Sequence, residues 1–261
     1  MSLDTLKLII KLFLFAYFVF IFTTKVFMSK RVCLNSYTPC LVSDEVQELS
    51  QQLNEAQRQL GRLSCQITQT DVSIRGGWCK NISGLNSTHH LTDELLAQAI
   101  SRLLKKKSVA SFGDGPGEYK QIIRSLNEVR KYDAFDGAPY TEETTDNEVK
   151  FLDLSVPVYH LPLYDWVISI EVAEHIPQEF EETFINNLTR HAKEGIILSW
   201  AVIGQGGRSH VNNKDLLYIK EQLEKRDFKL NEKLSKTLKD AADFEWLKNN
   251  LYVYVRSSIY E

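Results

Sequence analysis

The sequence predicts an α/β domain with a mostly parallel sheet covered by helices on both faces. Three observations lead to this prediction: short apolar strands alternate with helical segments from residue 91 onward, a glycine turn follows the first strand, and acidic residues end the next three. This alternation is typical of parallel strands that are buried on both sides. Strands are predicted at residues 108–113, 132–136, 149–153, 165–170, 195–200, 228–234 and 250–257. Helices are predicted at residues 91–107 (with Thr92 as N-cap), 118–130, 178–192, 213–226 and 239–248.

Residues 8–28 are an apolar run interrupted only by Lys11 and Lys25. As a helix the run would cross about 30 Å of hydrocarbon, with both lysines close enough to the interfaces to reach water. No small-x-small cleavage site follows it. We therefore expect an uncleaved signal anchor that holds the chain in a lipid bilayer, with a cleaved signal peptide as the alternative.

A stem is expected over residues 29–87, and it contains an apolar seam whose members are spaced alternately three and four residues apart. The seam consists of Val46, Leu49, Leu53, Ala56, Leu60, Leu63 and Ile67. This heptad spacing predicts a coiled coil over residues 46–67 through which two or more copies of the chain associate as a homo-oligomer. A single amphipathic helix that lies on the following domain is the alternative.

The stem also contains every cysteine of the chain, namely Cys33, Cys40, Cys65 and Cys79. Their spacing matches no zinc motif, and we expect no metal site. An even number of cysteines in a stalk next to a membrane indicates disulfides, within or between chains, in an oxidising compartment.

Glycosylation sequons occur at Asn81, Asn86 and Asn187. The first two lie in a polar linker, whereas the third falls inside a predicted helix, where a chance match is the alternative.

The basic residues next to the anchor and the cysteines of the stem indicate opposite membrane orientations. Basic residues on the two flanks slightly favour a cytosolic C-terminal domain. The cysteines and sequons favour a lumenal one. We therefore expect a single-pass type II protein with its C-terminal domain in the lumen of the endoplasmic reticulum or Golgi, and a cytosolic domain is the alternative.

After residue 31 the chain carries 26 basic and 33 acidic residues, a net charge of −7, so we expect no nucleic-acid partner.

The first predicted strand runs into a turn that contains Gly113, Gly115 and Gly117. Glycines let the backbone turn tightly and approach a ligand that a Cβ atom would repel. The helix predicted at residues 118–130 would point its free amides and positive dipole end at the same ligand. The turn therefore indicates a site for a nucleotide cofactor, with a purely structural turn as the alternative.

Acidic residues follow the next three predicted strands: Asp136-Gly137, Asp153-Leu154 and Glu171. In an open parallel sheet, ligands bind beyond the C-terminal ends of the strands. A carboxylate at Asp136 can accept both hydroxyl protons of a ribose, and Asp153 can accept from an adenine amine while Leu154 contacts the ring. For each acidic residue taken alone, a turn or helix cap is the alternative.

These motifs resemble those of class I S-adenosylmethionine-dependent methyltransferases over about residues 91–261. The most specific part is the run Asp-Trp-Val-Ile-Ser-Ile-Glu-Val-Ala-Glu-His-Ile, residues 165–176. The resemblance implies a Rossmann-like, doubly wound seven-stranded sheet with one antiparallel strand, in a domain over residues 88–261. It also implies S-adenosylmethionine as the cofactor, with its methionine part near Gly113–Gly117, its ribose on Asp136 and its adenine near Asp153 and Leu154.

Ser111 departs from the family pattern, which often has an acidic residue two positions before the first glycine. The cofactor's amino group would then be contacted by the Ser111 hydroxyl, through water, or by Asp114. The complete set of expected cofactor-binding residues is Ser111, Gly113, Asp114, Gly115, Gly117, Asp136, Gly137, Asp153, Leu154 and Glu171.

Methyl transfer to oxygen or nitrogen requires alignment of the reactants and, for a weakly acidic nucleophile, removal of a proton. Glu171, Glu174 and His175 lie where a base for this step is expected, and a role of His175 in capping or orienting the loop is the alternative. The polar loop at residues 200–213 is expected to act as a lid, with a plain glycine-rich connection as the alternative. Its expected substrate contacts are Gln205, His210 and Asn212.

The sequence therefore predicts a membrane-tethered enzyme that methylates an unidentified oxygen or nitrogen nucleophile. A binding or scaffold protein that kept the methyltransferase fold without turnover is the first alternative. An NAD-dependent oxidoreductase is disfavoured, because Glu118 stands where its motif needs a third glycine and no Tyr-x-x-x-Lys pair lies near the fourth or fifth strand.

Overall fold

A computed structural model describes residues 42–69, 71–79 and 90–257 of the chain. Among the helices in these ranges, none combines the length and the apolar character that crossing a membrane requires. The expected anchor, two of the stem cysteines and two of the sequons lie outside the described residues: 8–28, Cys33, Cys40, Asn81 and Asn86.

The described residues form two compact units. The smaller unit contains residues 42–57 and 158–161, and the larger one contains residues 58–157 and 162–257. In the smaller unit, the Ser50 hydroxyl lies 2.9 Å from Nδ1 of His160 and accepts a hydrogen bond from the Tyr159 amide at 2.8 Å. These bonds join its helical segment to its second segment.

Helix α1, Asp44–Thr68, covers the whole predicted heptad segment and contributes to both units. Within the larger unit, the Arg58 guanidinium pairs with Glu142 at 2.6 Å, and the Arg62 side chain donates to the Pro139 carbonyl at 3.0 Å. A Cβ atom on Gly61 would lie 2.7 Å from Cγ of Pro139, so the helix packs closely there. This part of α1 thus makes the contacts of a helix lying on the domain, and association with a second copy stays a prediction.

The larger unit contains a seven-stranded sheet in the order β3-β2-β1-β4-β5-β7-β6. Its strands are β1 Ser108–Phe112, β2 Lys131–Asp136, β3 Val149–Phe151, β4 Tyr164–Ser169, β5 Ala192–Ser199, β6 Phe228–Leu230 and β7 Leu251–Arg256. Strands β1 to β5 pair in parallel, while β7 is antiparallel to both β5 and β6. The predicted doubly wound seven-stranded sheet with one antiparallel strand is confirmed. The strand order changes direction between β1 and β4, where such sheets bind ligands.

Helices connect the strands as the apolar pattern predicts, but they begin and end at residues other than the predicted ones. They are α2 Glu94–Leu103, α3 Glu118–Ser125, α4 Thr141–Thr144, α5 Glu181–His191, α6 Leu216–Glu224, α7 Glu232–Ala241 and α8 Glu245–Asn250. The prediction of one helix at residues 239–248 is wrong, because Asn231 caps an earlier helix by accepting from the Leu234 amide at 3.0 Å. The same cap ends β6 at Leu230.

The predicted cap of the first domain helix is also wrong. Asp93 rather than Thr92 caps α2, because its carboxylate accepts from the Leu96 amide at 2.9 Å. Its second oxygen accepts from the amides of Asp243 and Phe244 at 2.7 and 2.9 Å, which ties α2 to the loop before α8. Asp93 is 1% exposed, so this one buried carboxylate joins two distant segments.

Apolar side chains cover both faces of the central strands, and all five residues of β1 are buried. On one face, residues of α2, α7 and α8 pack on the sheet; they include Leu96, Ile100, Leu238 and Leu247. On β1 and α5, the rings of Phe112 and His191 meet edge to face with centroids 5.7 Å apart. The core therefore fixes the strand ends that form the site below.

Asn187, the third sequon, lies on α5 and is fully buried. Its side-chain amide donates to the carbonyls of Leu154 and Val156 at 3.1 and 2.8 Å. A glycan on this nitrogen would replace one of its two hydrogens, and with it one of these bonds, at a side chain that is 0% exposed. The burial of Asn187 favours the alternative of a chance match for this sequon.

Cys65 near the end of α1 and Cys79 form a disulfide with Cα atoms 5.5 Å apart. The expectation of stem disulfides is thereby confirmed for one pair within the chain. The bond ties residues 71–79 to α1 within the larger unit, and we call this segment the clamp.

Candidate active site

The three predicted glycines form a tight turn after β1 with φ angles of +94° at Gly113, +61° at Gly115 and +89° at Gly117. Only glycine adopts such angles without strain. A Cβ atom on Gly113 would lie 2.2 Å from Cγ2 of Val172, so the turn also lacks room for a side chain. The amide of Gly113 donates to the Phe135 carbonyl at 2.8 Å, which holds the turn against β2.

Asp136, at the end of β2, is joined directly to the glycine turn. Its carboxylate accepts from the Gly115 amide at 2.9 Å and from the Ala138 amide at 2.8 Å. Burial raises the pKa of Asp136 above its usual value, while these two amide bonds oppose the shift. A carboxylate has about four acceptor positions, so two bonds leave capacity for ligand hydroxyls.

Ser111 and Asp114 form a buried polar group rather than an open edge of the turn. They are 4% and 5% exposed. The Asp114 carboxylate accepts from the Tyr132 hydroxyl at 2.9 Å and from the Lys120 amide at 3.3 Å. Burial raises the pKa of Asp114 to about 6, although hydrogen bonds from Ser111 and Tyr132 lower it. The Asp114 side chain is thus engaged within the protein.

Asp153 follows β3 and is 7% exposed. Its carboxylate accepts from the amide of Ser155 at 2.8 Å and from the hydroxyl of the same residue at 2.5 Å, so it closes a local turn. Burial raises the pKa of Asp153, and the positive charge of Arg75 opposes the rise. Leu154 is buried beside it at 5% exposure.

Glu171 follows β4 in a left-handed conformation with φ of +56°. Non-glycine residues adopt this region at a cost that the surrounding structure must offset. The Ser199 hydroxyl accepts from the Glu171 amide at 2.6 Å and donates to its carboxylate at 2.7 Å. The Asn250 side chain donates to the same carboxylate oxygen at 3.0 Å. These contacts fix Glu171 at the ends of β4 and β5.

Glu174 and His175 lie on the next turn, a single 3₁₀ turn at Ala173–His175, together with His210 from the loop after β5. One ligand atom from each of these three residues lies within 4.8 Å of the other two. Nε2 of His210 is 4.0 Å from Oε1 of Glu174, and the two imidazole rings meet edge to face at 5.1 Å. We call Glu174, His175 and His210 the His–Glu cluster.

Burial controls the charges of the His–Glu cluster. Glu174 is fully buried, and burial together with the negative charge of Glu171 raises the pKa of Glu174 to about 8. Burial, helped by the neighbouring His210, lowers the pKa of His175 to about 4. Nδ1 of His175 lies 3.2 Å from the Ser209 carbonyl, which can only accept, so Nδ1 carries the proton of the neutral ring.

The loop at residues 200–213 brings only one of its three predicted substrate contacts to this cluster, namely His210. Asn212 is 4% exposed, and its side chain donates to Glu181 at 2.9 Å. The Gln205 side-chain oxygen accepts from the Val202 amide at 3.3 Å. Asn212 therefore ties the loop to α5, and Gln205 bonds within the loop.

The clamp is the part of the site that the sequence did not predict. The Cys79 amide donates to the Asp71 carbonyl at 2.9 Å and the Ser73 amide to the Gly77 carbonyl at 2.7 Å, so the segment forms a hairpin turn. Near its end, the Trp78 ring lies edge to face with His175, with centroids 5.9 Å apart.

Two further clamp contacts reach the strand ends. A Cβ atom on Gly77 would lie only 2.0 Å from the Gly137 carbonyl oxygen, so the two backbones touch. The Arg75 guanidinium donates to the Ser155 hydroxyl at 2.8 Å, beside Asp153. The Gly76-Gly77 pair next to Trp78 and Cys79 was a signal of close backbone approach that sequence reasoning did not use.

No protein-family model matches the sequence, and no curated protein is significantly similar to it. The magnesium protoporphyrin IX methyltransferase of Synechocystis PCC 6803 with bound S-adenosylhomocysteine is 16% identical, covers 63% of this chain and 83% of its own, and gives a TM-score of 0.47. Its structure with S-adenosylmethionine is 18% identical, covers 62% and 76%, and gives 0.45. The YcgJ protein of Bacillus subtilis is 10% identical, covers 62% and 94%, and gives 0.42. These values describe a distant likeness of fold and no more.

Proposed function

We propose that this chain binds S-adenosylmethionine and transfers its methyl group to an oxygen or nitrogen nucleophile. The observation that supports this most strongly is the bond of 2.9 Å between the Gly115 amide and the Asp136 carboxylate. It joins a three-glycine turn to an acidic strand end, next to the point where the strand order changes direction. Val172 occupies the space that a Cβ atom on Gly113 would need, which fixes the turn at the end of β1.

The residues around the turn have distinct tasks in this proposal. The turn at Gly113–Gly117 would hold the methionine part of the cofactor, and the remaining acceptor capacity of Asp136 would bind the ribose hydroxyls. Asp153 and Leu154 would contact the adenine. When bound, the cofactor supplies a methyl group on a positively charged sulfur.

The acceptor would bind over the ends of β4 and β5, where the His–Glu cluster lies. The cluster would place two imidazoles and one carboxylate beside the acceptor, and Trp78 provides an apolar wall beside His175. Glu171, fixed by Ser199 and Asn250, adds a negative charge near Glu174. The clamp would thus form part of the acceptor site, although it belongs to the stem in sequence.

Ligand binding by the purified full-length chain in detergent tests the cofactor proposal. We expect S-adenosylmethionine and S-adenosylhomocysteine to raise the thermal unfolding midpoint and NAD to leave it unchanged. Binding with a one-to-one stoichiometry in calorimetry supports the site. A shift with NAD alone, or none with any ligand in a folded preparation, would contradict it.

Binding without turnover is a second candidate function, favoured by one observation. Ser111 stands where related motifs often have an acidic residue, and the Asp114 carboxylate is occupied by Tyr132 and Lys120. Incubation with methyl-labelled cofactor and a membrane or lumenal extract separates the two candidates. A labelled product supports the enzyme, whereas tight cofactor binding without any labelled product supports the binding protein.

We also propose that residues 8–28 anchor the chain in a membrane with the domain on the lumenal side. The Cys65–Cys79 disulfide supports an oxidising compartment. Protease treatment of sealed microsomes tests this orientation. Protection of the domain is expected, and digestion from the outside would show a cytosolic domain.

A further inference from the structure

We propose that Glu174, His175 and His210 bind a divalent transition-metal ion, and that this ion holds a hydroxyl group of the methyl acceptor. The metal site itself follows from the arrangement of these three residues. The role toward the acceptor rests on the proposed methyltransferase function. The proposal departs from the expectation of no metal, which considered only cysteine spacing.

The geometry of the His–Glu cluster is close to that of a three-residue metal site. Its ligand atoms lie within 4.8 Å of one another. With bonds of about 2.0–2.2 Å, two ligands of a tetrahedral ion are roughly 3.3–3.5 Å apart, so the cluster must contract by roughly 1–1.5 Å. The amides of Val211 and Asn212 donate to the Glu174 carbonyl at 2.9 and 3.0 Å, so the backbone next to His210 is already held beside Glu174 and the contraction falls to the side chains.

The Glu174 side chain provides an independent reason to expect a cation. Glu174 is 0% exposed, and neither of its carboxylate oxygens has a hydrogen bond of good geometry among the described residues, although the backbone amides of Glu174 itself and of Ala201 lie close enough to lower its pKa. Buried polar groups are almost always paired, and a buried carboxylate without partners is costly. Nδ1 of His210 is likewise buried without a partner in the described part of the chain. A cation between these side chains would supply the missing compensation.

His175 is already oriented as a metal ligand. Its Nδ1 atom donates to the Ser209 carbonyl at 3.2 Å, which leaves the lone pair of Nε2 available. Histidines that bind metals in proteins typically donate their other ring nitrogen to a carbonyl or carboxylate, which fixes the tautomer and the ring orientation. Ser209 precedes His210, so the loop that orients one ligand also carries another.

The ligand types define the class of ion. Two imidazoles and one carboxylate suit zinc, cobalt, manganese or iron, whereas magnesium prefers sites made of oxygen atoms. Three protein ligands leave at least one coordination position open, as in catalytic rather than structural zinc sites. A substrate oxygen can occupy that position.

The chemistry of methyl transfer gives the ion a role. A hydroxyl group bound to a divalent ion is more acidic than a free one, so its proton can pass to solvent near neutral pH. The resulting oxygen attacks the methyl carbon, the new C–O bond forms, and the C–S bond breaks with its electron pair remaining on sulfur. The products are a methyl ether and a neutral thioether. The acceptor class that fits this site is an alcohol or phenol.

Metal binding by the full-length chain, purified in detergent without a histidine tag, tests the site directly. The chain is treated with a chelator, dialysed and titrated with Co²⁺, which is followed by its visible absorption, while bound Zn²⁺ is counted by elemental analysis. We expect one ion per chain. Glu174→Gln and His210→Ala should each weaken Co²⁺ binding by about 10-fold or more, because each removes a ligand. His160→Ala, a histidine outside the cluster, should bind like the wild type.

Absence of a bound ion, or equal Co²⁺ affinity in all four proteins, would overturn the metal site. Circular dichroism shows whether each variant folds, and if Glu174→Gln does not, His210→Ala in the loop decides the matter. S-adenosylhomocysteine binding is measured on the same samples. Cofactor binding without metal binding overturns only the metal site, whereas metal binding without cofactor binding overturns the proposed function and the ion's role in it.

Discussion

The amide nitrogen of Gly115 lies 2.9 Å from Oδ2 of Asp136, so the turn after β1 and the acidic end of β2 form one unit. The second oxygen of Asp136 holds the Ala138 amide, 2.8 Å away. The carboxylate is therefore fixed in place before any ligand arrives. Preorganised acceptors of this kind lose little freedom on binding.

Asp136→Ala should weaken S-adenosylhomocysteine binding by about 1.5–3 kcal/mol, the usual range for hydrogen bonds to a charged group. Isothermal titration calorimetry on the full-length chain measures the change. Asp240→Ala is the control, because Asp240 is an exposed acid that pairs with Lys236 on α7. Unchanged affinity in a folded Asp136→Ala protein would refute the ribose assignment.

The buried Asp114 should make the free energy of unfolding depend on pH. Its pKa rises from 3.8 to about 6 on folding, so the folded chain retains a proton that the unfolded chain has lost. Stability from this group is therefore greatest below about pH 4 and falls by about 3 kcal/mol as the pH rises to about 6.

Asp114→Asn should remove that dependence, since an amide does not titrate. Urea unfolding between about pH 4 and pH 7 gives the free energy of unfolding of both proteins. In the difference between the two values, the contributions of the other titrating groups cancel. We expect the variant to gain stability relative to the wild type as the pH rises. A constant difference across this range would contradict the assigned shift.

Gly113→Ala should destabilise the chain more than Gly204→Ala. Both glycines have positive φ, +94° and +86°, so both substitutions incur the left-handed cost of about 1–2 kcal/mol. Only at Gly113 does the new methyl group meet another atom, Cγ2 of Val172 at 2.2 Å, which adds about 1–3 kcal/mol of overpacking. Thermal unfolding midpoints of the two variants test the order, and equal losses would show that the turn can relax.

Cys65→Ser combined with Cys79→Ser should release the clamp. The disulfide spans a sequence separation of 14, and closing a loop of that size is worth about 3 kcal/mol. In the intact protein Arg75 is held by Ser155 and stacks over the Phe180 ring at 4.6 Å. We expect faster trypsin cleavage at Arg75 in the variant, with unchanged cleavage at the exposed Arg102 on α2 as the control. The same rate at Arg75 in both proteins would show that its other contacts suffice to hold the clamp.

Local patterns predicted the sheet and the glycine turn and acidic residues at the ends of its strands. The strand periodicity located β1 to β5, and the glycines and acidic residues stand at strand ends, where the topology brings them together. Asp153 shows the limit of this reasoning, because the same carboxylate that was expected to contact adenine also closes a turn with Ser155. Residue type and place in the sequence do not reveal which hydrogen-bond acceptor sites of a carboxylate are already used by other groups of the protein.

The remaining features depend on contacts between residues far apart in sequence. Trp78 meets His175, and His210 meets Glu174, only because the chain folds a stem segment and a late loop toward the same strand ends. Similarly, Asp93 caps α2 in place of Thr92 while binding two amides near α8. No spacing rule within one segment identifies such partners.

The burial of Asn187 has a consequence for how the chain matures. In the lumenal orientation, its sequon would meet the glycosylation machinery while the chain is still unfolded, yet the folded α5 needs that amide for the Leu154 and Val156 carbonyls. Folding and modification at this nitrogen exclude each other. A sugar found on Asn187 would therefore mark molecules that were modified before they could fold, and it would record failed maturation rather than regulation.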